Sequence, residues 1–252
     1  MTTAQRAPDP ASYRGQHNLL DSFVLGGGRS GSLNALRSYF NENAATGRLY
    51  TGRGFDRLEG GGDLPHVRNG ITSADVLALS YLSITHRLPD VAFDTMVTYA
   101  DDIARLLAEL AVDVDMYEAS WRVYAPGSPA AELHALLRGC GGTNRWVTAN
   151  KLLARKRPRL LPVYDSRVES LLGAPNSFWE CLWSWFDGDP RRVDGLRSLR
   201  DEAGGIEDIS LLRCLDVVLW MRASGSRIGT NDPGSAQRTS ARAWRNPRKK
   251  QR

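Results

Sequence analysis

Apolar positions recur at helical spacing along most of the chain, and capping residues and breakers divide them into separate segments. Ser32 opens a stretch with Leu33, Leu36 and Phe40 on one face, which predicts a helix ending near Asn43. Thr72-Ser73-Ala74-Asp75 has the form of a capping box with a shorter acid, and Val76, Leu77, Leu79, Leu82 and Ile84 follow it as a buried helix. Pro89 restarts the chain, and the pattern through Val91, Ile103, Leu106, Leu107 and Leu110 is again helical. Ser128-Pro129 is an N-cap with proline at the first helical position, and Gly139 is the stop. Thr143 or Asn144 then caps a helix to about Lys156. Pro158 and Pro162 hold the following residues extended, and Asp165 caps a helix from Ser166 to Leu172. Ser177 and Glu180 form a further box, leading into Phe178, Trp179, Leu182, Trp183, Trp185 and Phe186, aromatics whose helical spacing marks them as core. Asp189-Pro190 opens another helix, and Ile209 to Met221, nearly all apolar, is the last.

The intervening segments are short. Gly52, Gly54 and the Gly60-Gly61-Gly62 run cannot continue a helix, so a short β-hairpin near 49–63 or an irregular loop is expected. Gly26-Gly27-Gly28-Arg29-Ser30-Gly31 fits a dinucleotide-binding glycine pattern only formally, because no alternation of strands and helices follows; it reads as a flexible turn. Asp113-Val114-Asp115 reads as a solvated turn. Eight or nine helices without alternating strands define an all-α globule. It occupies residues 17–223, between a loose leader, 1–16, with Pro8 and Pro10, and a tail, 224–252, rich in Ser, Gly, Arg and Asn and expected to be disordered.

Composition narrows the class. At 252 residues and 42% apolar the chain can fill a sizeable core, and no run approaches the ~18 apolar residues of a membrane span. No signal-peptide core follows the N-terminus, and three widely spaced cysteines, Cys140, Cys181 and Cys214, suit a reducing cytoplasm. His17, His66, His86 and His134 lack metal-ligand spacing, and no phosphate-binding loop or Gly-x-Ser-x-Gly occurs, so neither metal nor cofactor is expected.

Charge changes the picture more. The formal net charge is +5, yet residues from 224 onward carry +7 and the stretch Arg145 to Arg167 carries +6, leaving the rest at −8. An acidic body with one basic stripe and one basic tail suits a polyanionic partner, DNA being the candidate, although like-charge blocks also serve as plain solvated faces. Within the stripe, Thr148, Lys151 and Arg155 share a helical face, and the helix start at Thr143, Asn144 and Arg145 offers amides for a phosphate oxygen. Arg157, Arg159 and Arg167 extend the charge. Beyond the helix, Asp165 is placed to stabilise positive charge on a sugar as a glycosidic bond breaks, or else simply to cap its own helix.

Thr148-Ala149 followed by Pro162-Val163-Tyr164-Asp165-Ser166-Arg167-Val168 resembles the hairpin and catalytic segment of the helix-hairpin-helix DNA glycosylase superfamily, over about residues 133–172. The resemblance implies a hairpin that holds DNA backbone and a catalytic aspartate, Asp165. Thr143 and Arg145 stand where its hairpin glycines fall, and Tyr164 is an added residue before the aspartate. Val147 stands where bifunctional members carry a lysine nucleophile, so a monofunctional base-excision enzyme is implied, with no iron–sulfur cluster. A non-enzymatic nucleic-acid or protein-interaction module is the alternative. Most of residues 32–222, notably Tyr50 to Asp63 and Trp146 to Leu160, is also similar to an uncharacterised bacterial family of similar length with no known activity.

If the tail contributes to DNA binding, a chain ending at Ala223 will show a shallower dependence of log affinity on log salt than the full chain, by about 0.9 for each phosphate that the tail neutralises. Equal slopes in fluorescence-anisotropy titrations at several salt concentrations would mean that the tail neutralises none.

Overall fold

The computed structural model describes residues 7–41, 49–175 and 177–225; the basic tail expected from sequence lies almost wholly outside them. Among the described residues there are eleven α-helices and no strand, so the protein is all-α. The helices are α1 (Arg14–Val24), α2 (Arg29–Phe40), α3 (Ser73–Tyr81), α4 (Leu88–Phe93), α5 (Ala100–Ala108), α6 (Pro129–Gly139), α7 (Trp146–Lys156), α8 (Ser166–Leu171), α9 (Phe178–Gly188), α10 (Arg191–Ala203) and α11 (Leu211–Ala223).

Helix α11 packs on α2, α8 and α10, and it is buried on nearly every side, as its almost unbroken apolar sequence requires. Helices α1, α2, α10 and α11 form one group. A second comprises α3 to α7, with α5 and α7 on α6 and α3 on both α7 and α4. The extended stretch after α7 leads to α8, which lies on α11 and so joins the two groups. The aromatic helix α9 contributes Phe178, Trp185 and Phe186 to the main core, as its spacing predicts.

Several caps are where the sequence puts them. Thr72 and Asp75 close a reciprocal box at α3, Ser128 caps α6 through the Ala131 N–H, Asp165 caps α8, and Ser177 accepts from the Glu180 N–H at α9. Others are corrected. Ser32 is buried within α2 and donates back to the Gly28 carbonyl, so the helix starts four residues earlier, with Gly28 at the N-cap. Neither Thr143 nor Asn144 caps α7, whose N-cap position is Arg145 with no side-chain bond. The leader is structured from Pro10, where a 3-10 turn, Pro10–Tyr13, feeds α1 and buries Tyr13. Asp115 is buried rather than solvated, because the Tyr117 hydroxyl (2.9 Å) and Arg159 both donate to it.

The expected hairpin near 49–63 is instead two 3-10 turns, Thr51–Gly54 and Leu58–Gly60, in an irregular segment. Irregular backbone leaves carbonyls without helical partners, and here the ends of long cationic side chains reach them. Arg155 donates to the carbonyls of Phe55 and Leu58 and, at 3.0 Å, to Asp75; Lys156 reaches Asp75 (3.0 Å) and the Val67 carbonyl (2.8 Å). Arg157 reaches the carbonyls of Leu107, Leu110 and Arg68. Gly62 approaches this node so closely that an added Cβ would lie 2.5 Å from the Arg155 carbonyl oxygen, so no larger residue fits without displacement.

Asp75→Ala leaves two buried cations without their carboxylate and removes half of a capping box, so it should cost about 3–5 kcal/mol in urea denaturation. Thr72→Ala, which removes only the hydroxyl cap, should cost about 1 kcal/mol. Equal losses would show that Asp75 acts only as a cap.

Candidate functional site

The basic stripe does not face solvent. Thr148, Lys151, Arg155 and Arg157 are all buried, with Arg157 fully so, which corrects their assignment to a solvent-facing nucleic-acid surface. Burial pushes the Arg157 guanidinium down to about 10, with Arg68 alongside adding to the shift. Arg159 is exposed but committed to Asp115, and Arg167 is exposed with its guanidinium 5.9 Å from the Trp220 ring centre. In the turn between α6 and α7, Thr143 and Asn144 are exposed, Asn144 accepts from Arg138, and Arg145 donates to the His86 carbonyl at 2.9 Å. Gly141, Gly142 and Asn144 take positive φ to make this turn. The Gly141 N–H is already bound to the Asp94 carboxylate at 2.7 Å. That carboxylate occupies an amide that an oxyanion would otherwise take.

What the structure does bring together is a cavity of about 330 Å³ between α2, α7, α8, α11 and the Tyr50–Gly52 stretch. Asp165 and Lys151 both line it, their charged atoms 3.9 Å apart. The cap geometry divides the work of the aspartate. Its Oδ1 accepts from the backbone N–H groups of Arg167 (3.0 Å) and Val168 (3.2 Å), while Oδ2 is the oxygen nearer Lys151. Lys151 also donates to the Leu82 carbonyl at 2.8 Å. Burial drives its amine down to about 8; Asp165 opposes that shift and Arg213 adds to it.

Helix α11 forms the opposite wall. Arg213 donates to Asp56 (3.0 Å) and to the Tyr39 hydroxyl (3.2 Å), and the acids around it raise its pKa despite burial. Asp216, one turn on, accepts the Val163 N–H on Oδ2 at 2.7 Å, and burial raises its carboxyl well above the ordinary carboxylate range. Aromatic rings complete the cavity: Tyr39 and Tyr50 stack with centres 5.5 Å apart, and Trp220 stands edge-on to both.

Sequence reasoning selects Asp165 but misses Arg213, Asp216, Tyr39, Tyr50 and Trp220. The signal that could find the first two is a pair of charges inside an otherwise apolar helix, which burial makes too costly to keep without partners or a task. Val147 lines the cavity, and Lys151, one turn further along α7, brings an amine to the same space.

An all-helical protein with a polar, aromatic-walled cavity between its helix groups is the class that fold and site define. The chain belongs to the Family of unknown function (DUF6308), which matches residues 32–223. No curated protein and no solved structure matches it.

The chain has four lysines, Lys151, Lys156, Lys249 and Lys250, so titration is easy to resolve. After reductive ¹³C-methylation, the Lys151 resonance, identified by its loss in Lys151→Arg, should titrate near pH 8, whereas an unperturbed lysine titrates near 10.4. Between those two values the unfolded chain holds a proton that the folded chain lacks, so this lysine makes stability rise with pH in that window. A Lys151 midpoint above 10 would place the amine in water.

Proposed function

We propose that the cavity is the catalytic pocket of a glycosylase-like enzyme that receives one nucleotide unit of DNA and hydrolyses its N-glycosidic bond. The observation carrying this reading is the position of Asp165: the residue aligned with a catalytic aspartate is on the wall of an aromatic-lined cavity, with its uncapped oxygen beside an amine. Tyr50 and Trp220 offer faces on which an extruded base can stack. As the C1′–N bond breaks, its electron pair leaves with the base, and positive charge gathering on the sugar is met by the Asp165 carboxylate. Water then adds at C1′ and loses a proton while the departed base takes one up, which completes hydrolysis.

DNA would be met by fewer of the residues singled out from sequence than the stripe suggested. Arg167 at the cavity rim and the exposed Thr143 and Asn144 remain available, joined by the basic tail, whereas half-buried Arg145 is bound to the His86 carbonyl and Arg159 is held by Asp115. The buried Cys140, Cys181 and Cys214, all free thiols, fit a cytoplasmic setting. A second reading, a non-catalytic binding module, is favoured by two contacts: Asp165 caps α8 through its Oδ1, and Asp94 takes the Gly141 amide.

Asp165→Asn separates the two. Asparagine is a comparable N-cap, so the start of α8 is kept and the stability lost is that of the pairing with Lys151, while excision from a panel of duplexes with alkylated, deaminated, oxidised and mismatched bases should fall to background. Asp165→Ala, which removes the cap as well, should cost about 1 kcal/mol more than Asp165→Asn under either reading. Absence of base release by wild type from every duplex at high protein concentration would leave the module.

A further inference from the structure

Two carboxyls, Asp165 and Asp216, and three cations, Lys151, Arg167 and Arg213, line the cavity. Arg213 is ion-paired to Asp56 behind the wall at 3.0 Å and Lys151 to Asp165 at 3.9 Å, whereas Asp216 makes no ion pair among the described residues. It is 3% exposed, and its two oxygens differ. Oδ2 is fixed by the Val163 N–H at 2.7 Å, whereas Oδ1 is buried with no hydrogen-bond partner. An oxygen in that state, on a side chain lining a cavity, is costly unless something in the cavity engages it. A carboxyl that carries its proton becomes a donor, and a deeply buried acid lacking a cation favours that form. The walls around it are the rings of Tyr39, Tyr50 and Trp220, which suit a flat group that can stack.

We propose that Asp216 is the recognition group of the cavity, its Oδ1 donating a hydrogen bond to a ring nitrogen or carbonyl oxygen of a neutral planar nitrogen heterocycle, a nucleobase. Choosing a nucleobase rests on the functional reading above. The donor assignment does not, because it follows from the burial of Asp216, its lack of an ion pair and the bare oxygen. A ligand presenting only N–H groups at that point would leave two donors facing each other and is selected against.

The test uses 9-methyladenine and 1-methylcytosine as probes, since neither loses a proton between pH 6 and pH 10, with the full chain in isothermal titration. Charged and titratable groups around Asp216 are Arg213 on α11, Asp56 in the 55–57 turn, Asp165 and Arg167 at α8, Lys151 on α7, Tyr39 on α2 and Tyr50, and of these Lys151 titrates near pH 8. Asp216→Asn supplies the control: it keeps an acceptor for Val163 and a permanent N–H donor, but no longer titrates. Wild type should bind at least one probe, with affinity falling about tenfold per pH unit above the break that belongs to Asp216. Asp216→Asn should lose that break and keep only the one due to Lys151. Asp216→Ala should bind at least tenfold more weakly; if it does not fold, the asparagine profile decides alone. Identical pH profiles for wild type and Asp216→Asn, affinity rising with pH, or no binding of either probe would overturn the proposal. Excision by wild type in the duplex panel reports on the catalytic reading separately, whichever way the probes behave.

Discussion

The buried node at the end of α7 is the constraint on which the rest of the molecule depends. Arg155, Lys156 and Arg157 leave water completely, a cost that is met only if every charged head finds partners. One carboxylate, Asp75, serves two of them, and backbone carbonyls from residues 55 to 68 and from α5 supply the rest. The exchange is mutual. The glycine-rich segment has no helix or strand to satisfy its carbonyls, and the cations have too few anions, so each supplies what the other lacks. Because Tyr50, Thr51 and Gly52 lie at the start of that segment, fixing it on α7 also fixes one wall of the cavity.

How far the chain can be read in advance depends on whether an element is specified locally. The box at Thr72–Asp75, the Ser128-Pro129 start with its Gly139 stop, and the Asp165 cap use neighbours within three or four residues, and all are where the sequence puts them. The basic stripe misleads because its partners are distant backbone carbonyls, which have no side-chain signature. A run such as Arg155-Lys156-Arg157 looks the same on paper whether it meets solvent or an unsatisfied loop. The cavity is half legible: Asp165 follows from motif and cap, while Asp216 and Arg213 are marked only as charges in an apolar helix, and their partners Val163 and Asp56 lie more than fifty residues away along the chain.

The same burial redistributes charge. Most of the excess positive charge between residues 145 and 167 is internal counter-charge for carbonyls and for Asp75, not a field projected outward. At the α6–α7 turn, Asp94 holds the Gly141 amide, so any anion arriving there must displace an intramolecular carboxylate first, and its apparent affinity falls by the fraction of time that the amide is free.

The two oxygens of Asp165 have separate employment, one holding the first turn of α8 and the other facing Lys151. Folding therefore sets the carboxylate's rotamer before anything enters the cavity. A group developing positive charge opposite Oδ2 meets a dipole already oriented, with no reorganisation left to perform at that moment. Helix initiation and preorganisation are here a single event, carried by one side chain.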